Sequence, residues 1–223
     1  MSSLARDKPL RHGAIVLCGG QSRRMGLPKA TLPMGDEAML QRVVRLVRPL
    51  VEVVCVVAAT DQELPVLPPE VLLAYDRRPE RGPLEGLAAG LAALGGQVDA
   101  AYVTSCDVPL LVPAFVERMF DLLEQNDIAV PVDGRFHHPL AAVYRTSVLG
   151  EIERLLAADR LRPVYLFENA PTRHVPVDEL RDVDPDLDSL ENLNHPEGYF
   201  SALRRAGLPV SDEIRRRLRQ AGT

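Results

Sequence analysis

Apolar residues in this chain alternate between short continuous runs and longer stretches with helical spacing. The runs at 14–17, 51–59, 71–75 and 100–105 are rich in Val, Ile, Leu and Ala, which reads as strands buried in a mostly parallel sheet. Between the first two, Ala38, Leu40, Val43, Val44 and Val47 recur at helical intervals, and Pro49 closes the segment. A second helix is predicted over 84–94. Gly86 and Gly90 inside it each cost about 1 kcal/mol relative to Ala, so a close neighbour is expected on that face. Pro113 opens a third helix running to about residue 125.

The second half continues with strands over 128–132 and 136–144, joined by a turn at Asp133-Gly134. A helix follows over 146–158 with Thr146 as its cap. A weaker helix at 163–169 and a strand at 174–177 come next, and helices at 196–206 and 211–220 close the chain. Strands alternating with helices predict an α/β protein: a three-layer α/β/α sandwich on a mostly parallel, Rossmann-like sheet. No repeat, low-complexity block or linker interrupts 1–223, which reads as a single domain.

Composition narrows the partners. The 223 residues carry a formal net charge of −5 and no Trp, which argues against a nucleic-acid surface or a stacking platform for single strands. Local basic clusters in such a chain suit a small anionic ligand. No secretory signal and no membrane-length apolar run is evident. Cys18, Cys55 and Cys106 are widely spaced in strand-like runs, as expected of buried free thiols in a reducing, cytoplasmic setting.

The candidate chemistry starts where the first strand ends. Leu17 and Cys18 run into Gly19 and Gly20, and then come Arg23, Arg24, Gly26 and Lys29. Adjacent glycines after a buried strand let the backbone turn tightly and present its N–H groups, while two arginines and a lysine add donors for phosphate. The loop lies where open α/β sheets bind ligands, beyond the carboxyl end of a strand. It is not a Walker A loop, because five residues separate Gly20 from Gly26 and Leu27 follows where Lys is required; nor is it the G-x-G-x-x-G fingerprint.

Two further strand ends carry acids. Asp107 follows the 100–105 run and is the first choice for a Mg²⁺ ligand, since that ion is held by one or two carboxylates plus phosphate oxygens. Asp76 could accept hydrogen bonds from ribose or base, with Gly82 and Pro83 shaping a wall beside it. Glu85 is explained equally by the helix N-terminus. His137 and His138, adjacent on a strand, point to opposite faces and would not chelate together. Asp184 or Asp188 could add a second metal ligand, although a solvated acidic loop accounts for them as well. Asn192 and Asn194 lie on one side of an extended segment and could read a polar heterocycle. The six arginines from Arg204 to Arg219 are read as a solvated face. No nucleophile–base set appears, which suits direct attack by a substrate phosphate.

Together, Leu17-Cys18-Gly19-Gly20 with Arg23 to Gly26, Gly82-Pro83-Leu84-Glu85-Gly86, Cys106-Asp107-Val108-Pro109, His138-Pro139-Leu140 and Asn192 to Glu197 resemble the molybdenum cofactor guanylyltransferases. The first motif alone points only to the wider nucleotidyltransferase superfamily, whose fold is that of the nucleotide-diphospho-sugar transferases. The resemblance implies transfer of GMP from GTP to the phosphate of molybdopterin, with release of pyrophosphate and Mg²⁺ as cofactor. It implies that Leu17, Cys18, Gly19 and Gly20 contact GTP, that Lys29 meets its phosphates, that Asp76 holds the nucleoside, and that Asp107 binds the metal and a phosphate. Gly82 and Pro83 complete the nucleotide side. Arg23, Arg24, Asn192 and Asn194 fall on the pterin side, with Arg24 joining Lys29 and Asp107 in catalysis. Residues 12–125 would then bind nucleotide and 126–223 the acceptor. Other molybdenum cofactor biosynthesis proteins or molybdoenzyme chaperones are the implied transient partners.

The family has Met-Gly-Gly-x-Asp-Lys where this chain has Met25-Gly26-Leu27-Pro28-Lys29, a spacing closer to cytidylyl relatives. A CTP-dependent pterin transferase, another small-metabolite nucleotidyltransferase, and a non-catalytic nucleotide-binding or cofactor-delivery protein therefore stay open.

Overall fold

A computed structural model of the chain describes residues 9–19, 25, 27–78 and 81–221. The central sheet is built on β1 (His12–Leu17), which pairs in parallel with β4 (Val53–Ala58) on one side and β6 (Ala100–Ser105) on the other. The strand β5 (Leu72–Tyr75) extends β4 in parallel and forms one edge. Beyond β6 the sheet continues through β9 (Ala142–Arg145), β7 (Ile128–Asp133) and β10 (Thr172–Pro176). Only β9, and the short β8 (Phe136–His137) hung on β7, run antiparallel to their neighbours among the described strands. A small separate hairpin joins β2 (Pro33–Met34) to β3 (Glu37–Ala38).

Continuous apolar strands need cover on both faces. One face holds Val16, Val56, Tyr102 and Val143 against α1 (Met39–Val47) and α3 (Pro113–Asp121). The other holds Ile15, Val57, Val103 and Tyr144 against α2 (Pro83–Leu94), α4 (Leu149–Ala157) and α5 (Val164–Asn169). This is the three-layer sandwich expected from the alternation of elements. A third apolar cluster lies apart from both: Met25, Leu32, Met34 and Met39 pack against α6 (Pro196–Arg205) and α7 (Asp212–Ala221) through Leu203, Ile214 and Leu218.

The expected neighbour of α2 is β1 itself. A Cβ at Gly90 would stand 2.6 Å from Cγ2 of Ile15, and one at Gly86 would stand 3.2 Å from Cδ2 of Leu17. Three segments differ from expectation. The 136–144 run is not one strand: His138 donates from its backbone to Pro131, Ala141 turns back to His138, and β9 starts only at Ala142. Pro139, which has no N–H to give a ladder, marks the break. Thr146 does not cap a helix; its N–H and hydroxyl both donate to the Asp99 carbonyl, and a 3₁₀ turn at Thr146–Val148 leads into α4. The third helix stops at Asp121, four residues early, where Leu122 and Leu123 donate to Arg118 and Phe120.

Candidate active site at the carboxyl edge of the sheet

The parallel strands β1, β4, β5 and β6 end on one edge, and backbone bonds knit those ends together. Cys18 donates to Val57, Cys106 to Leu17, and Asp76 to Ala58, at 2.8, 3.0 and 3.1 Å. This places Gly19, Asp76 and Asp107 side by side although they are far apart in sequence. The segment containing Asn192 is then drawn in by a bond from the Leu193 N–H to the Asp107 carbonyl, 2.9 Å.

A polar network forms there. The Lys29 ammonium sits 2.6 Å from Oδ2 of Asp107 and 2.8 Å from Oδ1 of Asn194. The other carboxylate oxygen of Asp107 accepts from Nδ2 of Asn192 at 2.9 Å and from the hydroxyl of Ser105. Asn192 also donates to Ser105, 3.1 Å. Asp107 is 8% exposed, so its carboxylate is met by a cation and two neutral donors rather than by bulk water. Lys29, Asp107, Asn192 and Asn194, all singled out from sequence, therefore converge. Ser105 was not singled out; a hydroxyl at the last position of a strand, two residues before the acid, carried no signal of its own.

Asp76 occupies a second subsite. Its carboxylate lies beside Gly19, where a Cβ would come within 2.9 Å of Oδ2, and beside Gly86, at 3.4 Å from Oδ1. Glycine at both positions leaves room for the acid. Burial raises the Asp76 carboxyl above its ordinary range, and the neighbouring Glu85 adds to that shift. Glu85 is itself buried, facing Arg81 at 3.7 Å, and Arg81 also donates to the Leu156 carbonyl at 2.7 Å. Gly82 holds φ +76 with ψ −172, a region that side chains disfavour, and Pro83 is the first residue of α2.

Leu17 and Cys18 lie where β1 reaches this edge. Leu17 turns its side chain under α2, next to Gly86. Cys18 spends its N–H on Val57 and its carbonyl on Nε2 of Gln62, 3.0 Å. Gln62 also accepts from the Ala59 N–H, so it braces the loop's base; an isolated glutamine in a Pro-rich connection gave no sequence signal. The Cys18 thiol is pushed upward by its bond to Cys106 and by burial, and the three cysteines are free and buried. Gly20, Arg23 and Arg24 lie outside the described residues.

The acidic 182–188 loop is structural. Asp184 is buried and accepts the N–H groups of Asp188 and Ser189, both at 2.9 Å, while Arg205 pairs with Asp188. His137 meets Phe167 at a tilt and His174 edge-on, at centroid distances of 5.1 and 5.2 Å, and burial holds it below its ordinary pKa. His138 is likewise lowered by burial. Among the described residues no group of three or more His, Cys, Asp or Glu is placed to hold a metal ion, and no helix is long and apolar enough to cross a membrane.

Gly19, a lysine–aspartate pair and a second strand-end acid on one edge of a mostly parallel α/β sheet form the arrangement expected of a nucleotidyltransferase. A family model described as the MobA-like NTP transferase domain matches residues 14–174. The chain belongs to that family and is a nucleotidyltransferase. It is 35% identical over 220 residues to a probable molybdenum cofactor guanylyltransferase of Methanosarcina acetivorans, covering 91% of this chain and 96% of the relative. A protein of the same description from Mycobacterium tuberculosis is 36% identical over 210 residues, covering 92% and 98%. In fold the chain is similar to molybdopterin-guanine dinucleotide biosynthesis protein A from Archaeoglobus fulgidus, with TM-score 0.72 at 22% identity over 87% of this chain and 98% of that one. It is also similar to 2-C-methyl-D-erythritol 4-phosphate cytidylyltransferase from Thermus thermophilus, with TM-score 0.64 at 15% identity, covering 87% and 98%.

Proposed function

We propose that this protein transfers GMP from GTP to the terminal phosphate of molybdopterin, releasing pyrophosphate and forming molybdopterin guanine dinucleotide. The observation that carries the reading is the network of Lys29, Asp107, Asn192 and Asn194, which joins a phosphate cation and an acid to amides from the far end of the chain. The guanylyltransferase relatives in Methanosarcina and Mycobacterium support the choice of nucleotide and acceptor.

In this reading the acceptor phosphate, already ionised at neutral pH, attacks the α-phosphorus in line. The new oxygen–phosphorus bond forms as the α–β bridge breaks, and pyrophosphate leaves with the bridging oxygen. No general base is required, so the protein's work is positioning and neutralisation of charge. The first half, 12–125, holds the nucleotide: Gly19 and Gly20 contact GTP, Lys29 pairs with its phosphates, and Asp76 accepts from the nucleoside. Gly82 and Pro83 border the base, and Leu17 and Cys18 contact the nucleotide. The second half supplies Asn192 and Asn194 to the pterin side, with Arg23 and Arg24 meeting the acceptor phosphate and Arg24 steadying the transition state.

A Mg²⁺ ion fits these residues: Asp107 is a strand-end carboxylate already facing one cation, and that ion takes few protein ligands when a triphosphate supplies the rest. Held by Asp107 and the phosphates, it would polarise the α-phosphorus and neutralise the departing pyrophosphate. Lys29 would then turn from Asp107 toward the phosphates. A cytoplasmic setting accompanies the reading and accords with the three buried free thiols.

The test is turnover with GTP, Mg²⁺ and molybdopterin, preceded by thermal shifts with GTP, CTP, ATP and UTP. A selective ligand at a hundredfold excess over its Kd adds about 2.7 kcal/mol to stability. GTP alone should shift the melting curve; a CTP-selective shift would overturn the guanylyl assignment. Asp107→Asn should lower kcat on the order of a hundredfold or more while the protein still folds. Unchanged turnover in that variant would remove Asp107 from the metal and phosphate site.

A further inference from the structure

The second half of the chain brings to the carboxyl edge a group of rings that the chemistry above does not use. His137 of β8 meets Phe167 of α5 and His174 of β10, and Phe167 meets His174 edge-on at a centroid distance of 6.5 Å. Phe167 is buried, His137 is partly open and His174 is exposed, so the cluster has an apolar floor and a wet rim. Val103, Val130 and Ala142 on the same face of the sheet are apolar and buried, as a sealed face requires. Two imidazoles beside them break that pattern. Among the described residues neither imidazole makes a hydrogen bond, so their ring nitrogens are left to solvent or to a ligand.

Strand register fixes where the rings stand relative to the network of Lys29 and Asp107. Val132 pairs with Pro176 of β10 and with His137 of β8, so β8 lies on the side of β7 that faces β9 and β6. Ala129 is level with Val143 and, through it, with Tyr102. Three residues further along these two strands, Val132 is level with Ser105. β7 lies two strand spacings from β6, about 10 Å, and at this level β8 stands between them. His137 is therefore beside the end of β6, level with Ser105, whose hydroxyl donates to Asp107. Because side chains alternate along a strand, Ser105 shares the face of Val103, while His137 and His174 share that of Val132 and Val130. The break at 138–141 keeps β8 in place: His138 donates from its backbone to Pro131, and the Tyr144 hydroxyl donates to the Pro139 carbonyl at 2.9 Å. The rings thus form a short shelf that leads away from Asp107 along the edge of the sheet.

We propose that His137 and His174, seated on Phe167, form the shelf on which the fused heterocycle of the acceptor stacks while its phosphate reaches the Asp107 network. This deepens the assignment of molybdopterin as acceptor and rests on that reading. Histidine stacks on planar heterocycles as the other aromatic side chains do, and a neutral imidazole offers the polar rim of such a ring one donor and one acceptor. Burial and the neighbouring imidazoles hold His137 below its ordinary pKa, so that ring is uncharged at neutral pH and does not compete with Lys29 for phosphate. The placement also suits a ligand whose ring and phosphate are joined by a short linker, since the shelf begins beside β6 and continues over β7 to β10.

Steady-state transfer, measured separately against acceptor and GTP, tests the shelf. His174→Ala, at an exposed position, should raise KM for molybdopterin about tenfold, as expected for loss of one ring from a stack, and leave KM for GTP unchanged. His137→Ala should do the same, and His174→Phe, which keeps a ring, should restore most of the affinity. The fluorescence of 6-hydroxymethylpterin, a pterin without a phosphate, gives a readout independent of turnover: the wild type should quench it and His174→Ala should not. Melting curves on each variant show that the fold is kept. Transfer to molybdopterin with an unchanged acceptor KM in both alanine variants overturns the shelf and leaves the reaction standing. A KM for GTP that rises together with that for the acceptor overturns the assignment of the rings to the acceptor. A wild type that quenches the pterin through His174 but transfers nothing to molybdopterin supports the shelf as a pterin site and overturns the reaction.

Discussion

Asp76 shows how a single side chain can be set against the stability of its own fold. Burial and Glu85 raise its folded-state pKa, so the folded protein holds the proton more tightly than the unfolded chain does. The sign follows from linkage. A raised acid pKa contributes stability that is fully present below the unfolded value of 3.8 and is lost as pH rises through the folded pKa. At neutral pH the ionised group is therefore a cost, which N–H and O–H donors from a nucleoside would relieve. Asp76→Asn should raise the Tm at pH 7 and leave it unchanged at pH 3, while weakening GTP binding. A variant that loses affinity without gaining Tm at pH 7 would show that burial at this position carries no penalty. From sequence, Asp76 was visible as an acid ending a strand. Its pairing with Gly19 and Gly86 was not, because that contact depends on β5 lying next to β4 and α2 folding back over both.

Among the elements, α2 is the one whose composition was most legible and whose packing most constrains mutation. Its two glycines announced a close approach; the structure identifies Leu17 and Ile15 of β1 as what approaches Gly86 and Gly90. Gly90→Ala should gain about 1 kcal/mol in helix propensity. The new methyl, however, would meet Ile15 at 2.6 and 2.9 Å, and Ile15 is fully buried with no room to withdraw. Overpacking of that kind costs about 1–3 kcal/mol. The net expectation is a lower Tm in thermal denaturation, and a Tm above wild type would mean that α2 can slide on the sheet. Helices with a clean apolar repeat, such as α1, were read to within two residues. Elements held by backbone bonds to distant segments were not. The break at 138–141 depends on Pro131 lying alongside, and the role of Thr146 depends on the Asp99 carbonyl, 47 residues away. Periodicity reports which face is apolar, not which backbone groups are already taken.

At the scale of the whole molecule, the site depends on residues 78 to 165 positions apart: Lys29 meets Asp107 and Asn194, and Asn192 meets Asp107. The types and local spacing of these residues could be read along the chain, but nothing in the 184–194 segment says that it crosses to the end of β6. Three contacts bring it there. Asp184 caps the turn at 188–189, Ser189 accepts the Val112 N–H at 3.0 Å, and Leu193 docks on Asp107. The third apolar cluster then closes the arrangement, because Leu193 and Met25 share it with Ile214 and Leu218 of α7. The C-terminal helix thus supports both the segment preceding Lys29 and the one carrying the asparagines, while contributing no residue to the proposed chemistry. Truncating a buried leucine costs about 2–5 kcal/mol, and here the loss falls on the docking of α7 rather than on the sheet. Leu218→Ala should therefore speed amide exchange in α7 and around residues 25–34, leave the protection of β1 and β6 intact, and raise the Kd for GTP. Exchange measured by mass spectrometry beside a nucleotide titration separates the two effects. Released α7 with unchanged affinity would mean that Lys29 holds its geometry through the sheet alone.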